Sequence, residues 1–400
     1  MSSPLPLMPG NTLGVLGGGQ LGRMFVHAAQ RMGYRTVVLD PDADSPAGRA
    51  SDVHLACGYL DEKGLQALAR QAAGITTEFE NVPAQALAEL ARTRPVSPAA
   101  DAVSIAQDRA LEKAHFTRCQ VPVAPHAVLR SSDDLAQVND RLLPGILKTA
   151  TLGYDGKGQV RVRTRDELLA GWTQLQGRAT QPVVCVLEQM LPLAAECSVI
   201  VARGREGQMV NLPVQRNLHR DGILAVTEVF DGHLDPALAE QALDAARKVA
   251  DGLNYVGVLC VEFFILQPGA VRDALGALVV NEMAPRPHNS GHYSLDACDV
   301  SQFELQVRCL AGLPLSQPRQ HSPSVMLNLL GDLWFTQSSE AREPDWAAVL
   351  ALPGSHLHLY GKSDARPGRK MGHLTFTGAE ATQVRHTALQ AAAVLGIAPF

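Results

Sequence analysis

The sequence has little of what marks several common classes of protein. Its seven cysteines among 400 residues are scattered and never stand in C-x-x-C spacing, which argues against a disulfide framework and a structural zinc site. The formal net charge of −5 gives no electrostatic reason to expect nucleic acid or an anionic membrane as a partner. The first ten residues lack a basic start, and no segment is long and apolar enough to span a bilayer. We therefore expect a cytoplasmic globular protein that acts on small molecules.

Hydrophobic periodicity divides the chain into three expected domains, over residues 1–107, 108–320 and 321–400. From 12 to about 106, short apolar strands alternate with amphipathic stretches, as in the helix 20–32 between strands 13–16 and 36–39. This alternation predicts a doubly wound α/β domain with a parallel sheet. The later strands, which interleave with a long helix over 236–253, predict a mixed α/β and α+β architecture with a small mixed unit at the C-terminus.

The first glycine-rich segment, Gly17–Gly22, matches the G-x-G-x-x-G spacing of a dinucleotide site. Asp40 ends the next predicted strand, 18 residues after Gly22, where such a site keeps its ribose ligand. Read alone, these two features indicate an NAD-dependent dehydrogenase or a nucleotide-binding regulatory module, although the motif by itself has low specificity.

A second glycine-rich segment follows a strand that ends at Lys148 and carries glycines at 153, 156 and 158. Glycine lets backbone N–H groups approach phosphate oxygens closely, and lysines on both sides neutralise the phosphate charge. The spacing differs from G-x-x-x-x-G-K-[ST], so this is no Walker P-loop. The segment predicts a phosphate-covering loop, and an ordinary basic hairpin turn is the alternative.

Two acidic residues, Glu262 and Glu282, stand at the ends of apolar strands joined by one connection. Neighbouring strands would place both carboxylates side by side, an arrangement that can bridge Mg²⁺ to nucleotide phosphates. The next segment, Pro285–His292, has two histidines four residues apart, but its prolines exclude the helix of a zinc protease site. We interpret it as a rigid loop that presents Arg286 and His288 to the same cleft. The alternative is that Glu262 and Glu282 are solvated strand ends and that the segment 285–292 is an ordinary surface loop.

The densest basic cluster of the chain lies between Tyr360 and His373. Its four cations favour a phosphorylated substrate, with a solvated turn as the alternative. No G-x-S-x-G nucleophile elbow occurs in the sequence.

Six segments, in order along residues 12 to 376, resemble the 5-(carboxyamino)imidazole ribonucleotide synthetase family of purine biosynthesis, within the ATP-grasp superfamily. They are Gly17–Gly22, Glu78–Asn81, Gln107–Arg109, Gly153–Gln159, Asn281–His292 and Arg369–His373. The resemblance implies a pre-ATP-grasp domain, a central ATP-grasp domain and a small C-terminal domain. The implied enzyme is a homodimer that uses ATP, Mg²⁺ and bicarbonate to carboxylate the amine of 5-aminoimidazole ribonucleotide through carboxyphosphate, giving the carbamate, ADP and phosphate.

The resemblance also implies a role for particular residues. The substrate would contact Gln20, Leu21, Glu78, Asn81 and Tyr154, and its 5′-phosphate would contact Lys362, Arg369 and Lys370. The nucleotide would contact Arg109, Lys148, Gly153, Tyr154, Asp155, Gly156, Lys157, Gly158, Gln159, Glu188, Gln189, Met190, Leu191, Glu196, His219, Asn281 and Glu282. Glu188 and Leu191 would offer backbone groups to adenine, and Glu196 would bind the ribose. Glu262 and Glu282 would hold Mg²⁺, and the catalytic set would be Asp155, Lys157, Arg286 and His288.

Two alternatives compete with this interpretation. Another ATP-grasp ligase, such as the formate-using glycinamide ribonucleotide transformylase or a biotin carboxylase, would share the nucleotide residues and differ in the acceptor. The segments 286–292 and 369–373 favour the aminoimidazole acceptor. A dehydrogenase would leave Glu262, Glu282 and the Lys148 loop unexplained.

Overall fold

The computed structural model describes residues 6–151, 158–177, 183–335 and 340–400. Its first part is a four-stranded parallel sheet in the order β3-β2-β1-β4, which confirms the predicted doubly wound domain. Buried runs such as Val37–Leu39 form its strands, and α1 buries one apolar face against them. The elements are β1 Thr12–Leu16, α1 Gln20–Arg31, β2 Arg35–Leu39, α2 Pro46–Ala50, β3 Val53–Leu55, α3 Glu62–Gln71, β4 Gly74–Thr77, α4 Ala84–Ala91 and α5 Ala100–Ala106.

The second part is a four-stranded antiparallel sheet in the order β5-β8-β6-β7. Its core contains Leu147, Leu187 and, from the covering helix α8, Leu168. The strand predicted to end at Lys148 is present and ends one residue later, at Thr149. The elements are α6 Arg109–Arg118, β5 His126–Leu129, α7 Ser132–Ala136, β6 Gly145–Thr149, β7 Gln159–Val162, α8 Arg165–Gln176 and β8 Cys185–Gln189.

The third part is a large antiparallel sheet in the order β14-β13-β9-β11-β12-β15-β17-β16, with β10 paired to β9. Helix α9 packs on it through Ala246 and Val249. The elements are β9 Leu193–Arg203, β10 Met209–Asn211, β11 Gln215–Arg220, β12 Ile223–Val229, α9 Pro236–Gly252, β13 Gly257–Leu266, α10 Ala270–Leu275, β14 Leu278–Ala284, α11 Ser294–Ala297, α12 Gln302–Ala311, β15 Ser324–Leu330, α13 Trp346–Leu350, β16 Ser355–Leu359, β17 Lys370–Thr377 and α14 Ala381–Leu395.

The C-terminal unit has no sheet of its own among its described residues. Strand β15 pairs with β12 of the central part, with Leu327 opposite Val226, so β15, β17 and β16 extend the central sheet. Helix α14 covers this extension and packs Ala388 against Leu327 and Phe376. The predicted boundary at 320/321 therefore falls between two sequence units that share one sheet, and as a domain boundary it stays a prediction.

Helix α12 joins the first and third parts. Its residues Phe303 and Val307 pack against Phe25 and Val26 of α1, so the glycine-rich segment is held beside the central sheet. All seven cysteines are free thiols, as the scattered spacing predicted. In the described portion of the chain, no helix is long and apolar enough to cross a membrane.

Two histidines are buried in their neutral form beneath the C-terminal strands. Burial lowers the pKa of His292 and of His373 well below the ordinary value, neighbouring histidines add to the effect at both, and nearby cations add to it at His292. Gln302 Nε2 lies 3.0 Å from His292 Nδ1, and the Tyr360 hydroxyl lies 3.0 Å from His373 Nδ1. Because the unfolded chain can protonate both rings and the folded chain cannot, acid favours unfolding.

We expect the free energy of unfolding to fall as the pH decreases from about 7.5 to about 5.5, by about 1 kcal/mol for each of these histidines. His292→Asn retains an acceptor for Gln302 and should show a smaller acid-dependent loss. His321→Asn alters an exposed histidine and should keep the loss of the wild type. Urea unfolding at the two pH values measures the difference, and parallel losses in wild type and His292→Asn would contradict the assignment.

Candidate active site

The site is built around two carboxylates on neighbouring strands. Glu262 of β13 lies directly opposite Glu282 of β14, and the register then shifts so that Phe263 faces Val280. Opposed residues of an antiparallel pair point to the same face of the sheet, so the two side chains lie side by side as predicted. The prediction that they stand at strand ends was wrong, because both strands continue beyond them. The bulge leaves Asn281 as the extra residue of β14.

Glu262 keeps its negative charge although it is buried. Burial raises the pKa of this carboxyl, but His288 and His219 outweigh burial and lower it to about 2. Nε2 of His288 lies 3.0 Å from Glu262 Oε1, and Nε2 of His219 lies 3.8 Å from Oε2. On the neighbouring strand, Glu282 Oε2 accepts a hydrogen bond from Arg109 at 3.1 Å. Both carboxylates are thus surrounded by cationic or hydrogen-bond-donating groups.

Glu196, expected at the ribose, and His219, expected elsewhere in the nucleotide site, contact each other. Nδ1 of His219 is hydrogen-bonded to the Glu196 carboxylate. Burial lowers the pKa of His219, but Glu196 and Glu262 outweigh burial and raise it overall. The pair therefore connects the expected nucleotide residues to the carboxylate pair.

A second buried carboxylate lies between two lysines. Glu188 Oε1 is 3.2 Å from Lys148 Nζ, and its Oε2 is 3.3 Å from Lys113 Nζ. Burial raises the pKa of Glu188, but the two lysines lower it to about 2. The resemblance assigned Glu188 a backbone role at adenine; its side chain in addition orients the cations of the cleft. Lys113 was missed, although it follows Arg109 by four residues and so shares one helix face with it.

The other nucleotide residues fall on the small sheet near Lys148. The backbone N–H groups of Gln189 and Met190 donate to the carbonyls of Pro125 and Pro144 at 2.9 Å each, so Leu191 follows an anchored segment. Gly158 leads into β7, where Gln159 pairs with Lys148. The predicted loop residues Gly153, Tyr154, Asp155, Gly156 and Lys157 lie outside the described residues.

The glycine-rich turn before α1 is occupied by the chain's own carboxylates. Glu78 accepts hydrogen bonds from the backbone of Gly19 at 2.9 Å and Gly22 at 3.1 Å, where a dinucleotide site binds pyrophosphate. Asp40 accepts one from Gly18 at 2.7 Å. A Cβ on Gly22 would lie 2.8 Å from the Gly17 carbonyl oxygen, so close packing also requires glycine there. The turn therefore does not support the dehydrogenase alternative.

Arg286 of the proline-rich loop reaches the N-terminal domain. Its guanidinium forms an ion pair with Glu80, a residue to which the resemblance assigned no role. Gln107 donates to the Glu80 carbonyl at 2.6 Å and fixes this loop, which also carries Asn81. Burial lowers the pKa of Arg286 to about 10, and the guanidinium remains charged at neutral pH. The ion pair thus ties Arg286 to the expected substrate side, where Gln20 and Leu21 open α1.

The basic hairpin between β16 and β17 faces the same cleft. Lys362 Nζ donates to the Lys370 carbonyl at 2.7 Å, and Arg369 donates to the Asp364 carbonyl at 2.8 Å. Arg49 of α2 donates to the Gly361 carbonyl and holds the hairpin against the N-terminal domain. The positive charge of Lys370 contributes to lowering the pKa of Glu262, which places it near the carboxylate pair.

A histidine cluster below the hairpin was also missed. His358 Nε2 lies 2.9 Å from Asp296 Oδ2, and the rings of His358 and His373 stack with centroids 4.4 Å apart at 10°. One metal ion cannot lie in the planes of two parallel stacked rings, so this arrangement does not fit a shared ion. We interpret the cluster as packing beneath β17, which begins at Lys370.

A cleft between two antiparallel sheets, lined by buried lysines and paired carboxylates, defines an ATP-grasp ligase. The ATP-grasp domain model matches residues 114–303, and the ribonucleotide synthetase preATP-grasp model matches 10–107. The model of the phosphoribosylaminoimidazole carboxylase C-terminal domain matches residues 324–387. The chain belongs to the N5-carboxyaminoimidazole ribonucleotide synthase family. It is an ATP-dependent carboxylate–amine ligase of purine biosynthesis.

Three relatives illustrate the similarity. The N5-carboxyaminoimidazole ribonucleotide synthase of Brucella melitensis is 42% identical over 92% of this chain and 97% of its own. The Staphylococcus aureus N5-carboxyaminoimidazole synthetase complexed with ADP has a TM-score of 0.86 at 35% identity, covering 98% of this chain and 99% of its own. The Aspergillus clavatus synthase in complex with ADP and 5-aminoimidazole ribonucleotide has a TM-score of 0.83 at 30% identity, covering 96% and 98%.

Loss of Lys113 should destabilise the fold as well as the site. Lys113→Met leaves Glu188 with a single neighbouring lysine in a buried position, so we expect a loss of about 3 kcal/mol in the free energy of unfolding. The matched control, Lys248→Met, removes an exposed lysine paired with Asp244 and should cost less than about 1 kcal/mol. Urea unfolding measures the free energy of unfolding of both variants. Equal losses would contradict the larger contribution expected of the buried ion pair.

Proposed function

We propose that this cleft carboxylates the exocyclic amine of 5-aminoimidazole ribonucleotide with ATP and bicarbonate. The single observation that carries the proposal is the placement of Glu262 opposite Glu282 in a cleft that also holds Lys148 and the basic hairpin. Metal-binding carboxylates, phosphate-binding cations and a second basic cluster are what a nucleotide and a phosphorylated acceptor require together.

Glu262 and Glu282 are the proposed Mg²⁺ ligands. Magnesium prefers oxygen ligands, and charged carboxylates meet this requirement. The buried Oδ1 of Asn281 has no hydrogen-bond partner among the described residues, and Asn281 is the bulged residue next to Glu282 in β14. The donor set therefore fits a hard cation, which would neutralise phosphate charge during phosphoryl transfer.

The nucleotide would bind between the two antiparallel sheets. Lys148 and Arg109 would contact its phosphates, with Lys113 beneath them, and the glycine loop 153–159 would cover them. The adenine would lie at Glu188–Leu191, and Glu196 and His219 would face the ribose. Fixed cations aimed at a transferring phosphoryl group lower the barrier because they need no reorganisation as charge develops.

The proposed chemistry has two steps. A bicarbonate oxygen attacks the γ-phosphorus of ATP, the bond to the β-phosphate oxygen breaks, and ADP leaves carboxyphosphate behind. The amine nitrogen then attacks the carboxyphosphate carbon, the carbon–oxygen bond to phosphate breaks, and the nitrogen loses a proton to give the carbamate. Arg286 would hold the carboxyphosphate by charge and hydrogen bonding, and His288 would hold it by a hydrogen bond. Asp155 and Lys157, the other expected catalytic residues, stay predictions.

The acceptor would lie between the N-terminal domain and the hairpin. Lys362, Arg369 and Lys370 would bind its 5′-phosphate, and Gln20, Leu21, Glu78, Asn81 and Tyr154 would contact its ring and ribose. The Aspergillus clavatus relative crystallised with ADP and this ribonucleotide supports the choice of acceptor. A homodimer in the cytoplasm completes the proposal.

The proposal predicts which mixture supports ATP turnover. Phosphate release from Mg²⁺ and ATP should require both bicarbonate and 5-aminoimidazole ribonucleotide, and labelled bicarbonate carbon should appear in an acid-labile carbamate. Glycinamide ribonucleotide with formate is the comparison mixture. Stimulation by that mixture alone would retain the ATP-grasp assignment and exclude the proposed acceptor.

The metal assignment predicts the behaviour of Glu282→Gln. This change keeps the size of the side chain but removes a charge, so we expect Mg²⁺-dependent binding of ADP to weaken about 10-fold or more and turnover to fall, with the melting temperature unchanged. Glu89→Gln, at an exposed site paired with Arg92, is the control. Calorimetric titration with ADP, with and without Mg²⁺, separates metal from nucleotide effects, and unchanged turnover would remove Glu282 from the metal site.

A further inference from the structure

A line of buried polar side chains runs through the central sheet and ends at His288. Ser290 Oγ lies 2.9 Å from His288 Nδ1, and Ser198 Oγ lies 2.8 Å from Ser290 Oγ. Asn217 Nδ2 donates to Ser198 at 2.8 Å, and Thr227 donates to Asn217 Oδ1 at 3.0 Å. We call this set, Thr227, Asn217, Ser198 and Ser290, the serine relay.

The backbone beside the relay shows which nitrogen of His288 carries the proton. The backbone N–H of Ser290 points at His288 Nδ1 at 3.3 Å, and a backbone N–H can only donate. Nδ1 must therefore be an acceptor without a proton. In the neutral ring the proton is then on Nε2, which faces Glu262 Oε1 at 3.0 Å and donates to it.

The donors of the relay all point in one direction. The Thr227 hydroxyl donates to Asn217, the Asn217 amide donates to Ser198, and the Ser198 hydroxyl donates to Ser290. The hydroxyl of Ser290 then has His288 Nδ1 as its acceptor. Gln215 Oε1 lies 3.0 Å from Ser198 Oγ and competes for the same proton at the longer distance. Hydrogen bonds aligned in one direction polarise one another, so each strengthens the next.

The group beside the two serines is a neutral thiol. The Cys260 thiol contacts both serines, and burial raises its pKa well above the ordinary value, so it remains a neutral thiol. Ser198 and Ser290 are fully buried, so water does not compete for their hydroxyls. At this end of the relay, His288 reaches the carboxylate of Glu262 through Nε2.

We propose that Ser290 is a positioning residue, which together with Ser198 holds His288 in the tautomer that donates from Nε2. In the proposed function, on which this inference rests, the single N–H of His288, on Nε2, donates to Glu262 as in this structure or to an oxygen atom of the reacting group. His288 is not the base that removes the amine proton. The hydroxyl of Ser290 touches neither substrate nor metal and acts only through the imidazole.

The tautomer can be measured without turnover. The protein is labelled with nitrogen-15 in its thirteen histidines, and the His288 signals are identified by their loss in His288→Gln. In the wild type, we expect a pyridine-type Nδ1 and a pyrrole-type Nε2. Ser290→Ala keeps the backbone donor but loses the hydroxyl, so we expect Nδ1 to gain part of the proton population. Ser198→Ala should shift the same signals less, because it is one hydrogen bond further away.

Kinetics provide the second readout. Ser290→Ala should lower kcat roughly 10- to 100-fold with little change in the KM for the ribonucleotide, since outer partners of site ligands have effects of this size. The matched control is Ser324→Ala, a fully buried serine on β15 whose hydroxyl has no partner among the described residues. It should keep the wild-type kcat and the wild-type His288 signals.

Three results would overturn the inference. A wild-type spectrum with the proton on Nδ1 contradicts it directly. Unchanged His288 signals or unchanged kcat in Ser290→Ala show that the hydroxyl does not position the ring. Equal losses of kcat in Ser290→Ala and Ser324→Ala, with equal falls in melting temperature, indicate packing alone. Failure of the proposed function would instead appear as a wild type that is inactive with the ribonucleotide, with the spectra still deciding the tautomer.

Discussion

The structure depends most on accommodating two carboxylates that face each other across neighbouring strands, with Glu262 buried. Like charges directly opposite in a sheet repel, and burial strengthens that repulsion. Arg109 offsets it at Glu282, and His288 and His219 offset it at Glu262. Each of these partners comes from a different element, so the pair can persist only when helix α6, strand β11 and the proline-rich loop converge on one face. The requirement for charge balance thus organises the whole cleft.

A similar balance of charges occurs at Glu188, on strand β8 of the four-stranded antiparallel sheet. A phosphate-binding cleft needs cations before the nucleotide arrives, and two lysines this close would repel each other. The carboxylate between Lys113 and Lys148 reduces the repulsion and orients both ammonium groups. Burial lowers the pKa of Lys148, and the carboxylate opposes that loss of charge. The buried ion pair therefore contributes more clearly to the arrangement of the cations in the site than to the stability of the fold.

The glycine-rich turn shows how one local motif can support different ligands. Its backbone N–H groups are arranged as in a dinucleotide site, but Glu78 already accepts two of them. The glycines were predicted from spacing alone, and the fold class that they indicated was confirmed. The ligand could not be read from the spacing, because Glu78 lies 56 residues beyond Gly22 in the chain. Only the parallel pairing of β1 with β4 brings them together.

The local elements, the order of the motifs and, through resemblance, the family could be predicted from the sequence, because these depend on periodicity and on contiguous residues. The tertiary structure decided which distant groups meet. Lys113 contacts Glu188, Glu80 contacts Arg286, and Ser198 contacts Ser290 although 92 residues separate them. Strand order and register set these contacts. They also determine that the central sheet continues into β15. Register is decided by the packing of both sheet faces at once, and no single segment contains that information.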